Sequence, residues 1–205
     1  MNAELAALAV HDLKNALGIL EGQLVALEAA PSAQQARAAR QHCEHLRREM
    51  VSFLTLYRGQ SLRAMVDDES PLELLRSAAT DATHHGAKPG IVIEIGLGPC
   101  AAAPAFWYLD IRLVRLALDA ALHNACRYAR QRETLDAELR QGSLVLSIDD
   151  DGPGLSSAMP GAWSTGLGHE LCAAVARAHS HDGREGKVCL FDRTEGGARF
   201  ELILP

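Results

Sequence analysis

Aromatic residues are scarce in this 205-residue chain, because phenylalanine, tyrosine and tryptophan together make up only 4% of it. The hydrophobic fraction is nevertheless an ordinary 48%. A core must therefore be built mainly from leucine, alanine, valine and isoleucine. The length allows one large domain or two small ones.

Basic residues are also outnumbered, since 20 lysines and arginines face 26 aspartates and glutamates and give a formal charge of −6. Such a chain lacks the positive surface that non-specific nucleic-acid binding requires, so no nucleic-acid partner is expected. No apolar run approaches the roughly 20 residues that span a bilayer. The first residues also lack the basic region of a signal peptide. These absences predict a soluble, cytoplasmic protein without membrane insertion.

Cysteines occur without any CxxC spacing, at Cys43, Cys100, Cys126, Cys172 and Cys189. An odd, scattered set favours reduced structural thiols over a disulfide framework. The tightest histidine pairs, His84-His85 and His42 with His45, have no matching ligand set nearby. Metal binding by histidine and cysteine is therefore not expected.

Two long helices are predicted over residues 3–29 and 33–58, separated by Pro31-Ser32, with Ser32 as a plausible N-cap. Apolar residues step by four and three in both, at Ala6, Val10, Leu13, Leu17, Leu20, Leu24 and Leu27, and at Ala39, Cys43, Leu46, Met50, Phe53 and Tyr57. Such a pair forms an antiparallel helical hairpin. One hairpin leaves much of its apolar stripe exposed, so a homodimeric four-helix bundle is expected. The alternative is a hairpin that folds back on its own chain.

A polar segment at 61–69 is interpreted as a linker. The elements predicted after it are a mixture of helices and strands. Helices are predicted near 71–84, 110–130 and 166–178, and strands near 91–95, 135–139, 143–148, 187–191 and 198–204. The predicted fold class is therefore α+β. A helical hairpin over 1–60 precedes an α/β sandwich over 70–205, whose mixed sheet is covered by helices on one face.

His11 lies in the segment HDLKN, beside the apolar seam of the first helix rather than within it. Helical spacing places it on one stripe with Asn15, Gly18 and Gly22. An exposed imidazole is largely neutral at pH 7 and can act as a nucleophile. The adjacent Asp12 could accept the ring N–H, or the proton lost on attack. Taken alone, such a histidine is more often an ordinary surface residue.

A second candidate segment, LDAALHNACRYA at 118–129, falls on the helix predicted near 110–130. Asn124 offers an amide oxygen to a hard cation such as magnesium. Arg127 follows on the same side of the helix and suits phosphate, and the ring of Tyr128 can lie against a flat base. The alternative is an ordinary amphipathic helix.

Two glycine-rich turns complete the set. Asp150, Gly152 and Gly154 form D-x-G-x-G directly after a strand, where a carboxylate can accept a hydrogen bond from an exocyclic amine and glycines allow close backbone approach. Gly166 and Gly168 precede a helix whose first N–H groups favour phosphate. The first turn could equally be a tight turn, or a calcium loop, although the alternating calcium-ligand spacing is missing.

These four motifs, in this order, resemble the sensor histidine kinase family over nearly the whole chain, from residue 3 to 205. HDLKN is similar to the histidine box, LDAALHNACRYA to the asparagine box, DDGPGL to the first glycine box and STGLGHELCAAVARAH to the second. The resemblance implies a dimerisation and histidine-phosphotransfer hairpin, followed by an ATP-binding domain of the Bergerat type.

The resemblance also implies roles for the hairpin residues. His11 would receive the γ-phosphoryl group of ATP and pass it to an aspartate on a response regulator receiver domain. Asp12 matches the acidic neighbour that orients or deprotonates the histidine. Asn15 matches the position that places water for dephosphorylation of a partner regulator.

In the second part of the chain, the resemblance implies a site for ATP with Mg2+. Asn124 would hold the magnesium, Arg127 the phosphates, Tyr128 the adenine side and Asp150 the adenine amine. The nucleotide loops would be shaped by Gly152, Gly154, Gly166 and Gly168. Phosphoryl transfer asks mainly for positioning and charge neutralisation, which such a set can supply.

The sequence departs from the family pattern at several positions. Ala16 stands where proline is common, Ala120 where a second asparagine is common, and His169 where an apolar residue is usual. The segment between Leu155 and Thr165 is short and lacks a phenylalanine box, which indicates an abbreviated ATP lid. Two other functions therefore stay open: a histidine phosphotransferase that relays phosphoryl groups between response regulators, and an interaction module that retains only the dimer. No sensor-like segment precedes the first helix, so input from a separate sensor protein, or from a segment outside this sequence, is expected.

Overall fold

The structure, a computed structural model, describes residues 3–58, 62–85, 90–96, 103–155 and 166–205. It divides into two compact units. The first contains helices α1 (Ala3–Ala29) and α2 (Ala33–Arg58), at the bounds predicted from the sequence. The second contains all the strands, with α3 (Pro71–His85), α4 (Ile111–Tyr128) and most of α5 (Leu167–Ala178).

The helical hairpin turns at Pro31 and restarts at Ser32. The carbonyl oxygen of Ser32 accepts the Ala36 N–H at 2.9 Å, and its hydroxyl oxygen lies 3.5 Å from the Gln35 nitrogen. Ser32 therefore caps α2 as the sequence predicted.

The packed seam of the hairpin is shifted from the predicted one. Ala16 and Leu20 of α1 pack with Ala39 and Leu46 of α2, and Leu13 lies against this cluster. The predicted seam residues Val10, Leu17 and Leu24 are instead exposed. Alanine explains the shift, because small side chains on both helices allow a closer approach than leucine does. The sequence pattern predicted one apolar stripe on α1 and did not separate the residues that pack within the hairpin from those left exposed.

Each helix consequently keeps an unpaired apolar stripe with a seven-residue repeat. The stripe comprises Val10, Leu17 and Leu24 on α1 and Cys43, Met50 and Tyr57 on α2. A seven-residue repeat keeps side chains on one face of a helix, as in a coiled-coil seam. The expectation that one hairpin leaves much of its apolar stripe exposed is confirmed.

The second unit is built on a five-stranded mixed sheet with strand order β2-β4-β5-β7-β6. Its strands are β2 (Val92–Ile95), β4 (Arg132–Arg140), β5 (Ser143–Asp150), β6 (Lys187–Asp192) and β7 (Ala198–Leu204). β2 runs parallel to β4, and all the other neighbours are antiparallel. The turn between β4 and β5 uses positive φ at Gln141 (52°) and Gly142 (70°), as a two-residue hairpin requires.

One face of this sheet carries the core. Successive strand residues alternate between the two faces, and the inward set of β5 is fully buried: Leu144, Leu146 and Ile148. The buried stripe of α4 includes Val114, Ala117, Leu118 and Leu122. The predicted α/β sandwich is thus confirmed.

The opposite face of the sheet is covered by ion pairs instead of a second helical layer. Arg199 donates two hydrogen bonds of 2.6 Å to Asp149, and Arg193 lies 3.4 Å from the same carboxylate. Arg140 donates a 2.6 Å hydrogen bond to Glu201, whose side chain is only 5% exposed. These long side chains shield the middle of the sheet from water.

A small second sheet was not predicted. β1 (Asp67–Glu69) pairs antiparallel with β3 (Trp107–Leu109), so part of the predicted linker at 61–69 is strand. The sequence gives little signal here, because each strand has only three residues and β1 is entirely acidic. Among the helices of the described ranges, none is long and apolar enough to cross a bilayer.

The two cysteines of the helical layer are structural. Cys126 and Cys172 are buried, and the Cys172 thiol donates to the Ala117 carbonyl oxygen at 3.4 Å. Burial raises the pKa of Cys172 to about 12, which keeps the thiol protonated.

The ion pairs on the open face give a test of the fold. Arg140→Ala should lower the free energy of unfolding by about 2 kcal/mol, because Glu201 would stay buried without its main donor. Arg132→Ala is the matched control, since Arg132 lies 3.7 Å from an exposed glutamate, Glu94, and should change stability by less than about 0.5 kcal/mol. Urea unfolding followed by tryptophan fluorescence measures both. Equal effects of the two substitutions would contradict this account of the open face.

Candidate functional site

His11, Asp12 and Asn15 form one exposed cluster on α1. The His11 side chain is 67% exposed, and its Nδ1 lies 3.3 Å from the Asp12 carboxylate. The Asn15 amide nitrogen lies 3.2 Å from the same ring atom. The helix thus brings together the three residues that the sequence analysis selected, one turn apart.

The two neighbours compete for one ring nitrogen and so determine the tautomer. If Nδ1–H donates to Asp12, Nε2 carries the lone pair and can act as a nucleophile. If the Asn15 amide donates to Nδ1, then Nε2 carries the proton instead. Gly18 and Gly22 continue the stripe, and a Cβ at either position would meet nothing within 4 Å. The surface beside His11 is therefore open to a second molecule or domain.

Three successive aspartates end β5, and each has a different environment. Asp149 joins the ion pairs of the open face. Asp151 accepts the backbone N–H of Arg130 at 2.7 Å and of Gln131 at 3.1 Å. Burial tends to raise the pKa of Asp151, but these backbone hydrogen bonds outweigh it and lower the pKa. Asp149 and Asp151 are therefore explained by the fold alone.

Asp150 is the exception. It is buried on the same face as Ile148, with Oδ1 accepting the N–H of Gly152 at 2.7 Å and of Ala198 at 3.3 Å. Its other oxygen, Oδ2, has no hydrogen-bond donor in the part of the chain that the structure describes. Burial raises the pKa of Asp150, and the two backbone hydrogen bonds offset this only in part. A buried carboxylate with an unused oxygen is typical of a ligand-binding or catalytic group.

The glycines around Asp150 are required by close packing. A Cβ at Gly152 would lie 2.7 Å from the Tyr128 carbonyl oxygen and 2.7 Å from Asp150 Oδ1. Gly154 has φ +79° and faces Asp192, whose Oδ1 accepts the Leu155 N–H. The D-x-G-x-G turn is therefore pressed against the C-terminal end of α4, which joins the Asp150 loop to Tyr128.

Sequence reasoning missed Gly197 and Asp151 as supports of this site. Gly197 has φ +84°, and a Cβ there would clash with the backbone carbonyl of Asp150. Its signal in the sequence is weak, because Gly197 belongs to a Gly-Gly pair that is interpreted only as a turn between strands. Asp151 gave none, since it could not be distinguished from its two acidic neighbours.

The end of α4 carries the remaining candidates. Asn124 is exposed one turn before Tyr128, and the Arg127 guanidinium lies over the Tyr128 ring at 5.5 Å. No group of three acidic, histidine or cysteine side chains in the described ranges could hold a metal ion by itself. Mg2+ commonly takes only one or two protein ligands and completes its shell with phosphates and water. An exposed amide at Asn124 is compatible with such an arrangement, and its role as a magnesium ligand stays a prediction.

Gly166 and Gly168 lie at the start of α5. Gly166 has φ +73°, its carbonyl oxygen accepts the Glu170 N–H at 3.1 Å, and a Cβ there would meet open space. This is the backbone of a helix N-terminus, where N–H groups can face an anion. The predicted short lid falls at 156–165, outside the described residues, and a nucleotide role for the two glycines stays a prediction.

A polar trough of about 630 Å³ lies on the other side of the same loop. It is lined by residues of the open sheet face, including Arg132, Thr134, Asp149 and Arg193, together with Asp151 and Gly152. The Asp150 side chain is not among its lining residues. The trough therefore shares Gly152 with the candidate site but does not include the Asp150 side chain.

Comparison with known proteins gives one relative over the whole chain. No protein-family model matches. Sensor protein KdpD of Escherichia coli (strain K12) is 31% identical over 230 residues, which cover 100% of this chain and 24% of the relative. The chain thus spans about a quarter of the length of this relative.

Two solved structures share the fold. The histidine kinase AdeS of Acinetobacter baumannii superposes with a TM-score of 0.70 at 21% identity, over 95% of this chain and 96% of that one. Histidine kinase ThkA, solved in complex with response regulator protein TrrA, gives a TM-score of 0.68 at 15% identity, over 99% of this chain and 61% of that one. At these identities the likeness concerns the fold alone.

The environment of Asp150 predicts that Asp150→Asn leaves the fold at least as stable but weakens nucleotide binding. The amide oxygen can still accept from Gly152 and Ala198, while the unfavourable buried charge is lost. The variant should therefore be at least as stable as the wild type at pH 7. Because the folded-state pKa is raised, its advantage should grow as pH rises from about 4 through that pKa, and then level off. Thermal unfolding across this pH range measures it.

The nucleotide affinity of Asp150→Asn should fall, although its stability does not. An amide nitrogen in place of Oδ2 would face the adenine amine donor to donor, so affinity for an ATP analogue should fall about 10- to 100-fold. Asp149→Asn is the control, since it weakens the Arg199 pair and should lower stability without changing affinity. Unchanged affinity in Asp150→Asn, measured by calorimetry, would remove Asp150 from the site.

Proposed function

The chain belongs to the sensor histidine kinase family, and we propose that it transfers the γ-phosphoryl group of ATP to His11 and then to an aspartate of a response regulator. The observation that carries the proposal is the placement of Asp150, a buried carboxylate whose Oδ1 accepts two backbone N–H groups while its Oδ2 has no donor among the described residues. A non-catalytic relay protein has no need of such a group. The phosphotransferase and the interaction module are therefore the weaker readings.

We assign each proposed function to one segment of the chain. Residues 1–60 form the dimerisation and histidine-phosphotransfer hairpin, residues 70–205 the ATP-binding domain, and residues 61–69 the connection that includes β1. ATP is supplied in the cytoplasm, so the reaction is proposed to occur there.

The proposed chemistry at the hairpin begins with the ring tautomer. With Nδ1–H donated to Asp12, the Nε2 lone pair of His11 attacks the γ-phosphorus, the bond from that phosphorus to the β,γ-bridging oxygen breaks, and ADP leaves with the bonding electrons. The ring keeps its Nδ1 proton, so no external base is consumed. Asp12 stabilises the positive charge that develops on the ring.

The proposed nucleotide site positions the donor. Asp150 Oδ2 accepts from the adenine amine, the Tyr128 ring lies on the adenine side, and Arg127 faces the phosphates. Bound magnesium, held through Asn124, supplies charge neutralisation for the transferred group. Gly166 and Gly168 would offer backbone N–H groups to phosphate at the start of α5.

A response regulator receiver domain is the proposed partner. ThkA was solved with the response regulator TrrA, which supports the same class of partner for this chain. The open surface around His11, Gly18 and Gly22 would admit the receiver aspartate. Asn15 would position water for hydrolysis of the phosphorylated aspartate of the regulator.

Labelling with γ-phosphate-labelled ATP and Mg2+ tests the function. Wild type should incorporate acid-labile phosphate, while His11→Gln should incorporate none, since the nucleophile is lost. Asn124→Ala should label at least about 100-fold more slowly, because the metal-supported charge neutralisation is lost. Label on His11→Gln would overturn the site assignment.

His181→Gln is the matched control. His181 is also exposed and lies 3.3 Å from a neighbouring aspartate, Asp182, so it reproduces the pairing of His11 without its proposed role. It should label like the wild type. A wild type that binds no nucleotide but accepts phosphate from a phosphorylated regulator would establish the phosphotransferase instead.

The exposed apolar stripe predicts a homodimer. Leu17→Glu places a charge on the stripe and should shift the chain toward monomer, with a dimer dissociation constant raised at least about 100-fold. Ile19→Glu is the control, because Ile19 is similarly exposed, 45% against 51%, but lies about 200° around α1 from Leu17. Sedimentation equilibrium measures both. A monomeric wild type would contradict the prediction, as would equal effects of the two substitutions.

A further inference from the structure

Asp110 is a buried carboxylate that lies far from the candidate site and holds more partners than a helix cap needs. It is 1% exposed and precedes α4 as its N-cap. Its Oδ1 accepts the backbone N–H groups of Arg112 at 3.1 Å and Leu113 at 3.2 Å. Serine, threonine or asparagine would serve that purpose equally well. The charge and the second oxygen therefore need another explanation.

The second oxygen, Oδ2, binds the segment that enters this unit. It accepts the Met65 N–H at 2.9 Å and the Arg112 guanidinium at 3.1 Å. Met65 lies in the short stretch that follows α2 in the chain and leads into β1. Pairing of Asp67 with Leu109 holds the same stretch beside Asp110. One carboxylate therefore ties the entering segment to the first turn of α4.

His179 links the end of α5 to Asp110. Its Nδ1 lies 2.7 Å from the Val175 carbonyl oxygen, which can only accept, so Nδ1 carries the proton. Its Nε2 is therefore the acceptor for the Asp110 backbone N–H at 3.0 Å. The ring is buried after the end of α5 and bridges that end to the N-cap of α4. Asp110 therefore makes hydrogen bonds to the first turn of α4, to Met65 in the entering segment and to His179 after the end of α5.

We propose that Asp110 is a positioning residue that couples the entering segment, residues 62–66, to both helices of the nucleotide site. The opposite end of α4, about 20 Å away, carries Asn124, Arg127 and Tyr128. Gly166 precedes the opposite end of α5, and Gly168 lies in its first turn. A packed helix shifts as a unit, so a displacement of residues 62–66 moves the site residues rather than being absorbed locally. This inference rests on the proposed nucleotide site.

Asp110→Asn tests the coupling. Asparagine keeps the cap through its amide oxygen but cannot accept the Met65 N–H in place of Oδ2. Hydrogen exchange should therefore become faster both in residues 62–66 and at residues 124–128. Affinity for a non-hydrolysable ATP analogue with Mg2+ should fall about five- to tenfold. Faster exchange confined to residues 62–66 and the first turn of α4 would overturn the proposal, because the carboxylate would then be a local cap.

Arg112→Gln is the matched control. It removes the other partner of Oδ2 and leaves the Met65 hydrogen bond, so exchange at residues 124–128 and analogue affinity should stay at wild-type values. If Arg112→Gln reproduces the effects of Asp110→Asn, the ion pair is responsible and the proposed link through Met65 is wrong. All measurements are made well below the thermal midpoint of each variant.

The hydrogen bond between His179 and the Asp110 backbone is tested with two substitutions of His179, one of which keeps a hydrogen-bond acceptor. His179→Gln keeps an acceptor for the Asp110 N–H and should retain most of the analogue affinity, whereas His179→Leu should lose it to the extent that Asp110→Asn does. Equal affinities in these two variants would contradict a role for the hydrogen bond. If the wild type binds no analogue at all, the proposed function fails, while exchange at residues 124–128 still decides the coupling.

Discussion

A single buried carboxylate, Asp150, is the constraint on which the candidate site of the second unit depends. Its Oδ1 accepts one backbone N–H from the turn after β5 and one from Ala198, the first residue of β7, so these two segments must meet at this atom. That meeting excludes side chains at Gly152 and Gly197, and it presses the loop against the end of α4. The remaining oxygen has no donor among the described residues. A buried carboxylate of this kind is typical of a ligand-binding group, which is the role proposed for it here.

The hairpin is constrained differently, because its two helices carry apolar residues on more than one face. Alanines at Ala16 and Ala39 make the contact within one chain. The larger residues, such as Leu17 and Met50, are left on an adjacent face. His11 lies beyond that face, so packing of a second chain there would leave the imidazole exposed. Helix α1 therefore carries the packed alanine seam, the exposed apolar stripe and His11 on different faces.

Much of this architecture was predictable from local patterns, and the failures have physical causes. The bounds of α1, α2 and β7 follow directly from heptads and from a strongly apolar strand. The residues of α1 that pack within the hairpin could not be separated from those left exposed, because periodicity identifies an apolar stripe but does not say which partner packs on it. β1 and β3 were missed because strands of three residues make too few contacts to leave a pattern. In the site, motif residues such as Asp150 were found, whereas Gly197 and Asp110 required knowledge of which segments meet in space.

The central claim is that a nucleotide bound at Asp150 delivers phosphate to one imidazole nitrogen on α1. The most direct measurement is mapping of the phosphorylated atom after incubation of the intact chain with ATP and Mg2+, by phosphorus NMR and by mass spectrometry under alkaline conditions. The account predicts a phosphoramidate at Nε2 of His11. Phosphate on any other residue, or a chain that binds the nucleotide and leaves this imidazole unmodified, would contradict it.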